Sequence, residues 1–132
     1  MPEIKITIAG GGSYSWSPIL LCDLMHEEEL AGSEGILYDI NLQAASEIKA
    51  AMDRIAKDNG KDFTFTATDK EDVAYTDADF ILVTISTGGL KMMSRDVEIP
   101  EKFGICQAVG DPLGSGGSSK IAPYFNPKVK AA

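Results

Sequence analysis

Three consecutive glycines, Gly10 to Gly12, stand between an alternating apolar segment and a helix-forming one, and this junction restricts the chain more than any other stretch. Ile4, Ile6 and Ile8 alternate with Lys5 and Thr7 and run into Ala9, which predicts a short strand ending where Gly10 begins. Gly10 permits a tight turn out of the strand, and the bare backbone of Gly12 would let a pyrophosphate approach the amide groups closely. Ser15 stands at the third position of the spacing, small enough for close helix packing. Ser17 followed by Pro18 predicts a helix start, with the capping hydroxyl supplied by Ser17 or by Ser15 and proline at the first helical position. Ile19, Leu20, Leu21, Leu24 and Met25 carry that helix to about Leu30, with Gly32 as its stop. Its N-terminus points at the phosphate site, where free amides and the helix dipole favour an anion.

Gly35 to Tyr38 predicts a second strand ending at Asp39. A carboxylate at a strand tip can accept hydrogen bonds from both ribose hydroxyls, which fits NAD and repels the additional phosphate of NADP; the other reading is that Asp39 caps the helix beginning near Leu42. Ala45, Ile48, Met52 and Ile55 fall three and four apart on one face of a helix from about Leu42 to Asn59, closed by Gly60. Phe63, Phe65 and Ala67 alternate with threonines as a third strand, and Thr68 to Glu71 has the capping-box spacing of a short helix ending before Thr76. The unbroken apolar run Phe80 to Ile85 reads as a central parallel strand buried on both faces.

Strand and helix therefore alternate. Right-handed crossovers turn that order into an α/β fold, an open, doubly wound, Rossmann-like parallel sheet of order 3-2-1-4 that binds ligands at the carboxyl ends of strands one and four. Ser86, Thr87, Gly88 and Gly89 follow strand four and would either reach that crevice or form a plain loop. Beyond them, Ser94 to Gly104 suggests a short helix interrupted near Pro100, and Ile105 to Val109 a fifth strand. Gly110 to Gly117 is a turn-rich loop, and residues 118–132 show no clear period. The expected organisation is a dinucleotide-binding domain over residues 1–117 and a tail over 118–132. The second half of such a fold, with a substrate domain, is not expected within this chain.

A length of 132 residues suits one domain, and 44% hydrophobic residues permits a core without any segment long enough to cross a membrane. The opening Met1-Pro-Glu-Ile-Lys5 lacks the layout of a signal peptide, so a cytoplasmic location is expected. A net charge of -8 argues against nucleic acid as a partner. Cys22 and Cys106 stand far apart and read as two unremarkable thiols, and His26 as a surface or packing residue of the first helix. No metal ligand can be named.

Taken together, Gly10-Gly-Gly-Ser13, Leu37-Tyr-Asp39, Thr87-Gly-Gly-Leu90, Asp96-Val-Glu-Ile-Pro-Glu-Lys-Phe-Gly104 and Val109-Gly-Asp-Pro-Leu-Gly-Ser-Gly-Gly117 resemble glycoside hydrolase family 4, the NAD- and manganese-dependent glycosidases related in fold to lactate and malate dehydrogenases. The resemblance spans about residues 3–117, and Pro112 and Ser115 depart from the family's usual loop. It implies hydrolysis of O-glycosidic bonds by redox-assisted elimination and addition rather than by paired carboxylates. It also implies a cofactor, NAD, a required Mn2+, a small-molecule glycoside substrate and, in the full-length family, a homo-oligomer. By position, the resemblance puts Gly10, Gly12, Ser13 and Tyr14 at the cofactor phosphates, Asp39 at the adenosine ribose and Thr87, Gly88 and Gly89 at the nicotinamide. Asp111 and Gly116 would lie near the sugar, and Arg95 either there or in a surface ion pair with Asp96 or Glu98. Trp16 and the run through Phe103 look most like members acting on unphosphorylated alpha-galactosides or alpha-uronides. The resemblance puts the family's metal ligands, a cysteine and a histidine, in a later segment after an asparagine-proline motif; Asn126-Pro127 looks like that motif but follows Gly117 too closely, and reads as a coincidence. The expectation is thus a cofactor-binding portion, inactive alone. The alternatives are a stand-alone nucleotide-binding remnant and a fragment of a lactate- or malate-type dehydrogenase.

Overall fold

In a computed structural model describing residues 4–85 and 89–106, the alternating segment before the glycines is β1 (Lys5–Ala9). It is followed by α1 (Ser17–His26), β2 (Ser33–Tyr38), α2 (Leu42–Asp58), β3 (Phe63–Thr68), α3 (Glu71–Tyr75), β4 (Phe80–Val83) and α4 (Gly89–Glu101). The chain divides into two compact units, residues 1–85 and 86–132. The first holds the whole sheet, all parallel, in the order β3-β2-β1-β4. Its register aligns the strands' carboxyl ends: Ala9 pairs with Tyr38 and Val83, and Tyr38 pairs with Thr68. The residues that follow those ends are consequently gathered along one rim of the sheet.

Apolar side chains on one face of β1 and β2 meet α1 and α2. Ile6, Ile8, Leu21, Met25, Leu37, Ile48, Met52, Phe63 and Phe65 form a single buried cluster. The helical spacing of Ala45, Ile48 and Met52 places all three in contact with that core, with Ile55 half-buried beside it. On the other face, Thr7 is fully buried and its hydroxyl donates to the Ala74 carbonyl of α3, so the central strand is covered on both sides. Asn41 begins α2 by accepting the amide of Ala44 (3.3 Å), and Asn59 and Gly60 end it, the latter at φ 62°.

Four sequence expectations need correction. The first helix stops at His26, where Glu27 is extended, and residues 28–30 make a separate 3-10 turn. β2 begins at Ser33, two residues before Gly35. The capping box before α3 is not formed: Lys70 occupies the cap position without a side-chain bond, and the Thr68 hydroxyl accepts the Lys70 amide instead (3.1 Å). Finally, β4 is not buried on both faces. It lies at the edge of the described sheet with Phe80 58%, Ile81 47% and Val83 66% exposed, because β1 flanks one side only and the helices of residues 1–85 cover β1 to β3. Of the fifth strand expected over residues 105–109, Ile105 and Cys106 are irregular and exposed, and the rest lies outside the described residues.

The second unit contains α4, with Pro100 one residue from its end. Cys22 and Cys106 are both free thiols, and no helix among the described residues is long and apolar enough to cross a membrane. The buried face of α1 sets a stability expectation. Leu21→Ala should cost about 2–5 kcal/mol in urea denaturation, because a fully buried leucine leaves a cavity. Ile19→Ala, on the exposed face of the same helix, should stay within about 0.5 kcal/mol of the parent.

Candidate functional site

The glycine turn is built by packing against the tip of β2. The amides of Gly10 and Gly11 both donate to the Tyr38 carbonyl at 2.9 Å. Gly10 adopts φ 95°, and a side chain there would also strike Thr84, whose hydroxyl bonds the Ala9 carbonyl at 3.2 Å. The next amide, of Gly12, donates to Asp39 Oδ2 at 2.8 Å. A Cβ at Gly12 would lie 2.8 Å from that oxygen and 3.1 Å from Ala44 Cβ, so the missing side chain makes room for the carboxylate and for α2.

Asp39 is held from two sides. Its Oδ1 accepts the Asn41 amide at 2.9 Å while Oδ2 accepts Gly12, and its own amide donates to the Thr68 carbonyl at 3.1 Å. The helix-capping alternative for Asp39 therefore gives way to Asn41, whose side chain performs that role. Each carboxylate oxygen keeps a lone pair for a further donor. Two oxygens at a strand tip, fixed in orientation by backbone amides, can receive a vicinal diol.

The entry to α1 also differs from the expected one. Trp16 occupies the cap position without a side-chain bond, and neither Ser15 nor Ser17 supplies the capping hydroxyl. Ser13 does the work instead: its Oγ accepts the Trp16 amide at 3.2 Å and its carbonyl accepts the Ser17 amide at 3.1 Å. Ser17 is fully buried, and its hydroxyl donates back to the Gly10 carbonyl at 3.3 Å. The Ser13 amide closes the turn on that same carbonyl at 3.0 Å. Among the described residues, the amides of Tyr14 and Ser15 meet no acceptor, which leaves two adjacent donors at the crest of the turn.

Gly10, Gly12, Ser13 and Asp39 are thus brought together. Tyr14 follows them in the turn, but its hydroxyl reaches away to Glu47 of α2 at 2.7 Å. No motif or period in the sequence marks Glu47, Asn41 or the Tyr38 carbonyl as part of this site. Gly89 opens α4 in the second unit, and Arg95 is exposed on that helix. Glu98, one of the two carboxylates considered as its ion-pair partner, accepts the Ser94 hydroxyl. Thr87, Gly88, Asp111 and Gly116 lie outside the described residues.

Beside Asp39, the rings of Tyr38 and Tyr75 lie 5.2 Å apart, with the Tyr38 hydroxyl 3.4 Å from Glu71. Burial, then the neighbouring Tyr38 and Glu71, push the Tyr75 phenol up to about 12. Burial followed by Glu71 raises Tyr38 as well. His26 caps its own helix end on the surface, its Nδ1 lying 2.7 Å from the Cys22 carbonyl. Among the described residues no group of three or more His, Cys, Asp or Glu side chains is arranged to hold a metal ion, so this part of the chain does not fit the Mn2+ that the resemblance implies.

A parallel α/β sheet with a glycine turn and a pinned carboxylate on its carboxyl rim is the arrangement on which doubly wound folds bind nucleotides. Comparison with known proteins makes the assignment specific: residues 5–122 match the family 4 glycosyl hydrolases, and the chain belongs to that family. An alpha-galacturonidase of Thermoanaerobacter italicus is 39% identical over 114 residues, which are 86% of this chain and 24% of that protein. The 6-phospho-beta-glucosidase of Thermotoga maritima, solved with NAD and glucose-6-phosphate, superposes with a TM-score of 0.77 at 30% identity, covering 97% of this chain and 30% of that one. A 6-phospho-alpha-glucosidase from gut microorganisms, solved with NAD and Mn2+, superposes at 0.72 with 25% identity, covering 90% and 27%. The chain therefore corresponds to the N-terminal portion of its relatives and spans about a quarter of their length.

Two outcomes follow from this geometry. Gly12→Ala should destabilise the protein by about 1–3 kcal/mol in urea denaturation, since the new methyl displaces Asp39. Adding Asp39→Ala should recover part of that loss but not all, because Ala44 still crowds the methyl; equal stability of single and double variants would show that the Asp39 contact is not what matters. Because the folded-state value of Tyr75 is raised above its ordinary 10, its contribution is present below pH 10 and fades as the pH climbs towards 12. In ultraviolet titration, the tyrosine that ionises near 12 should disappear in Tyr75→Phe.

Proposed function

We propose that this chain is the NAD-binding portion of a family 4 glycosidase that hydrolyses O-glycosidic bonds. The observation that carries the reading is the Asp39 carboxylate, fixed at the end of β2 by the amides of Gly12 and Asn41, directly beside the glycine turn. Its unused lone pairs suit the two ribose hydroxyls of NAD, and its charge opposes the extra phosphate of NADP. The free amides of Tyr14 and Ser15, with the start of α1 behind them, suit the pyrophosphate. Gly10 and Gly12 keep that surface bare, and Ser13 holds its shape.

In this reading Thr87, Gly88 and Gly89 flank the nicotinamide, and Arg95, Asp111 and Gly116 contribute towards the sugar. NAD, when bound, would supply reversible hydride acceptance at the sugar, a chemistry that needs the cofactor without net consumption. The residues described here bind and orient that cofactor; no step is assigned to Mn2+, for which they offer no ligand set. For the substrate we favour an unphosphorylated alpha-galactoside or alpha-uronide. Similarity to the Thermoanaerobacter italicus alpha-galacturonidase supports this.

Isothermal calorimetry on the 132-residue chain tests the cofactor assignment. NAD should bind, NADP should bind at least about tenfold more weakly, and Asp39→Ala should lose about tenfold or more in NAD affinity, as expected when a charged hydrogen-bond acceptor is removed. Equal NAD affinity in the parent and Asp39→Ala would remove Asp39 from the ribose role. Absence of NAD binding by the parent would overturn the assignment.

A further inference from the structure

We infer that Glu47 is a positioning residue for the glycine turn, its hydrogen bond from Tyr14 acting as a latch that holds the crest of the turn against α2 and presents the Tyr14 and Ser15 amides. The consequence for ligand binding rests on the NAD assignment above; the latch itself does not.

The base of the turn is fixed several times over. Gly10 and Gly11 bond the Tyr38 carbonyl, Gly12 bonds Asp39, and Gly12 lies directly over Ala44 of α2. The crest is different. Ser13 ties it back to the start of α1, but Tyr14 itself is 66% exposed. Its one described side-chain bond spans 33 positions of sequence, from the phenol O–H to Glu47 Oε2 at 2.7 Å.

Glu47 is prepared for that contact from its other side. Its Oε1 accepts the Gln43 side-chain amide at 3.1 Å, one helical turn back, which restrains the carboxylate's rotation and leaves Oε2 directed at the phenol. The two groups hold complementary protonation states over the neutral range. The bond to Glu47 raises the Tyr14 phenol, and the bonds from Tyr14 and then Gln43 lower the Glu47 carboxyl. A neutral donor and a charged acceptor make the stronger class of hydrogen bond. Both side chains are exposed, which limits what the bond adds to global stability, so its effect is local, at the crest of the turn.

The sole tryptophan, Trp16, stands two residues beyond Tyr14 and is exposed, which places a fluorescent reporter on the same segment. The test compares the parent chain with Tyr14→Phe, Glu47→Ala, Glu47→Gln and the double variant Tyr14→Phe/Glu47→Ala. In the protein without ligand, Tyr14→Phe and Glu47→Ala should each shorten the Trp16 anisotropy decay and speed exchange of the hydrogen-bonded amides of Ser13 and Trp16 about threefold. The double variant should be no worse than either single one. Glu47→Gln, which keeps an acceptor oxygen, should stay close to the parent. NAD titrated into the same variants should bind about threefold more weakly wherever the latch is broken.

Unchanged Trp16 decay and amide exchange in Tyr14→Phe and Glu47→Ala would overturn the latch. A loosened crest with unaltered NAD affinity would overturn the positioning role. Loosening without NAD binding by the parent would leave the latch in place and overturn the cofactor assignment instead.

Discussion

The carbonyl of Tyr38, accepting two successive amides from the glycine turn, is the contact on which the rest of this structure depends. It locks the end of β1 to the end of β2 at the point where the chain must reverse into α1. The fit is close enough that a Cβ on Gly11 would come within 2.6 Å of the Leu37 backbone. From that junction the other features follow. Asp39 is carried to the rim because it succeeds Tyr38; Gly12 can reach its carboxylate because Gly11 has already brought the turn onto the strand. α1 then starts from a turn whose direction is set, and its buried face meets the core through Leu21 and Met25.

Much of this is legible in the sequence, and the reason is periodicity. Alternation at Ile4, Ile6 and Ile8, and three-four spacing at Ala45, Ile48 and Met52, report which faces are buried, and burial determines where the elements lie. Parallel strands joined by helical crossovers have few topologies, so the order 3-2-1-4 followed from the sequence of elements. Caps were less legible. Ser13, Ser15 and Ser17 are all competent hydroxyls within one short turn, and choosing among them depends on the path of the backbone. Ser17 turns inward to bond Gly10, and Ser13 is left to receive the helix's first amides. The Tyr14–Glu47 pair was invisible for a similar reason: it joins residues 33 positions apart, with no periodic signal linking them.

β4 shows how a correct pattern can lead to a wrong inference about environment. Phe80 to Val83 is apolar throughout, as a strand covered on both faces should be, yet it forms an edge within residues 1–85. The strand's composition records the surroundings it is suited to, whereas its exposure records what this unit supplies. An apolar edge with unpaired backbone groups is a recognised hazard for association. The relatives' chains are about four times longer than the matched stretch, so the family supplies much more protein than these two units contain.

Charge explains why so much of the candidate site is backbone. No lysine or arginine occurs between Lys5 and Lys49, a span that includes the entire glycine turn, α1 and Asp39, and the chain as a whole carries -8. On the proposed reading the ligand is a dinucleotide with its own negative phosphates, which a segment without lysine or arginine attracts through dipoles placed at short range. Amide groups at a helix start meet that requirement, but only while the turn bearing them keeps its shape, because a dipole's attraction falls off faster with distance and misalignment than that of a full charge. The close contacts around Gly10 to Ser17 then have one physical rationale. On the proposed reading, a stretch without lysine or arginine must hold its amides in place by shape, and the bonds to the Tyr38 carbonyl and the Asp39 carboxylate, with that from Tyr14 to Glu47, serve that end.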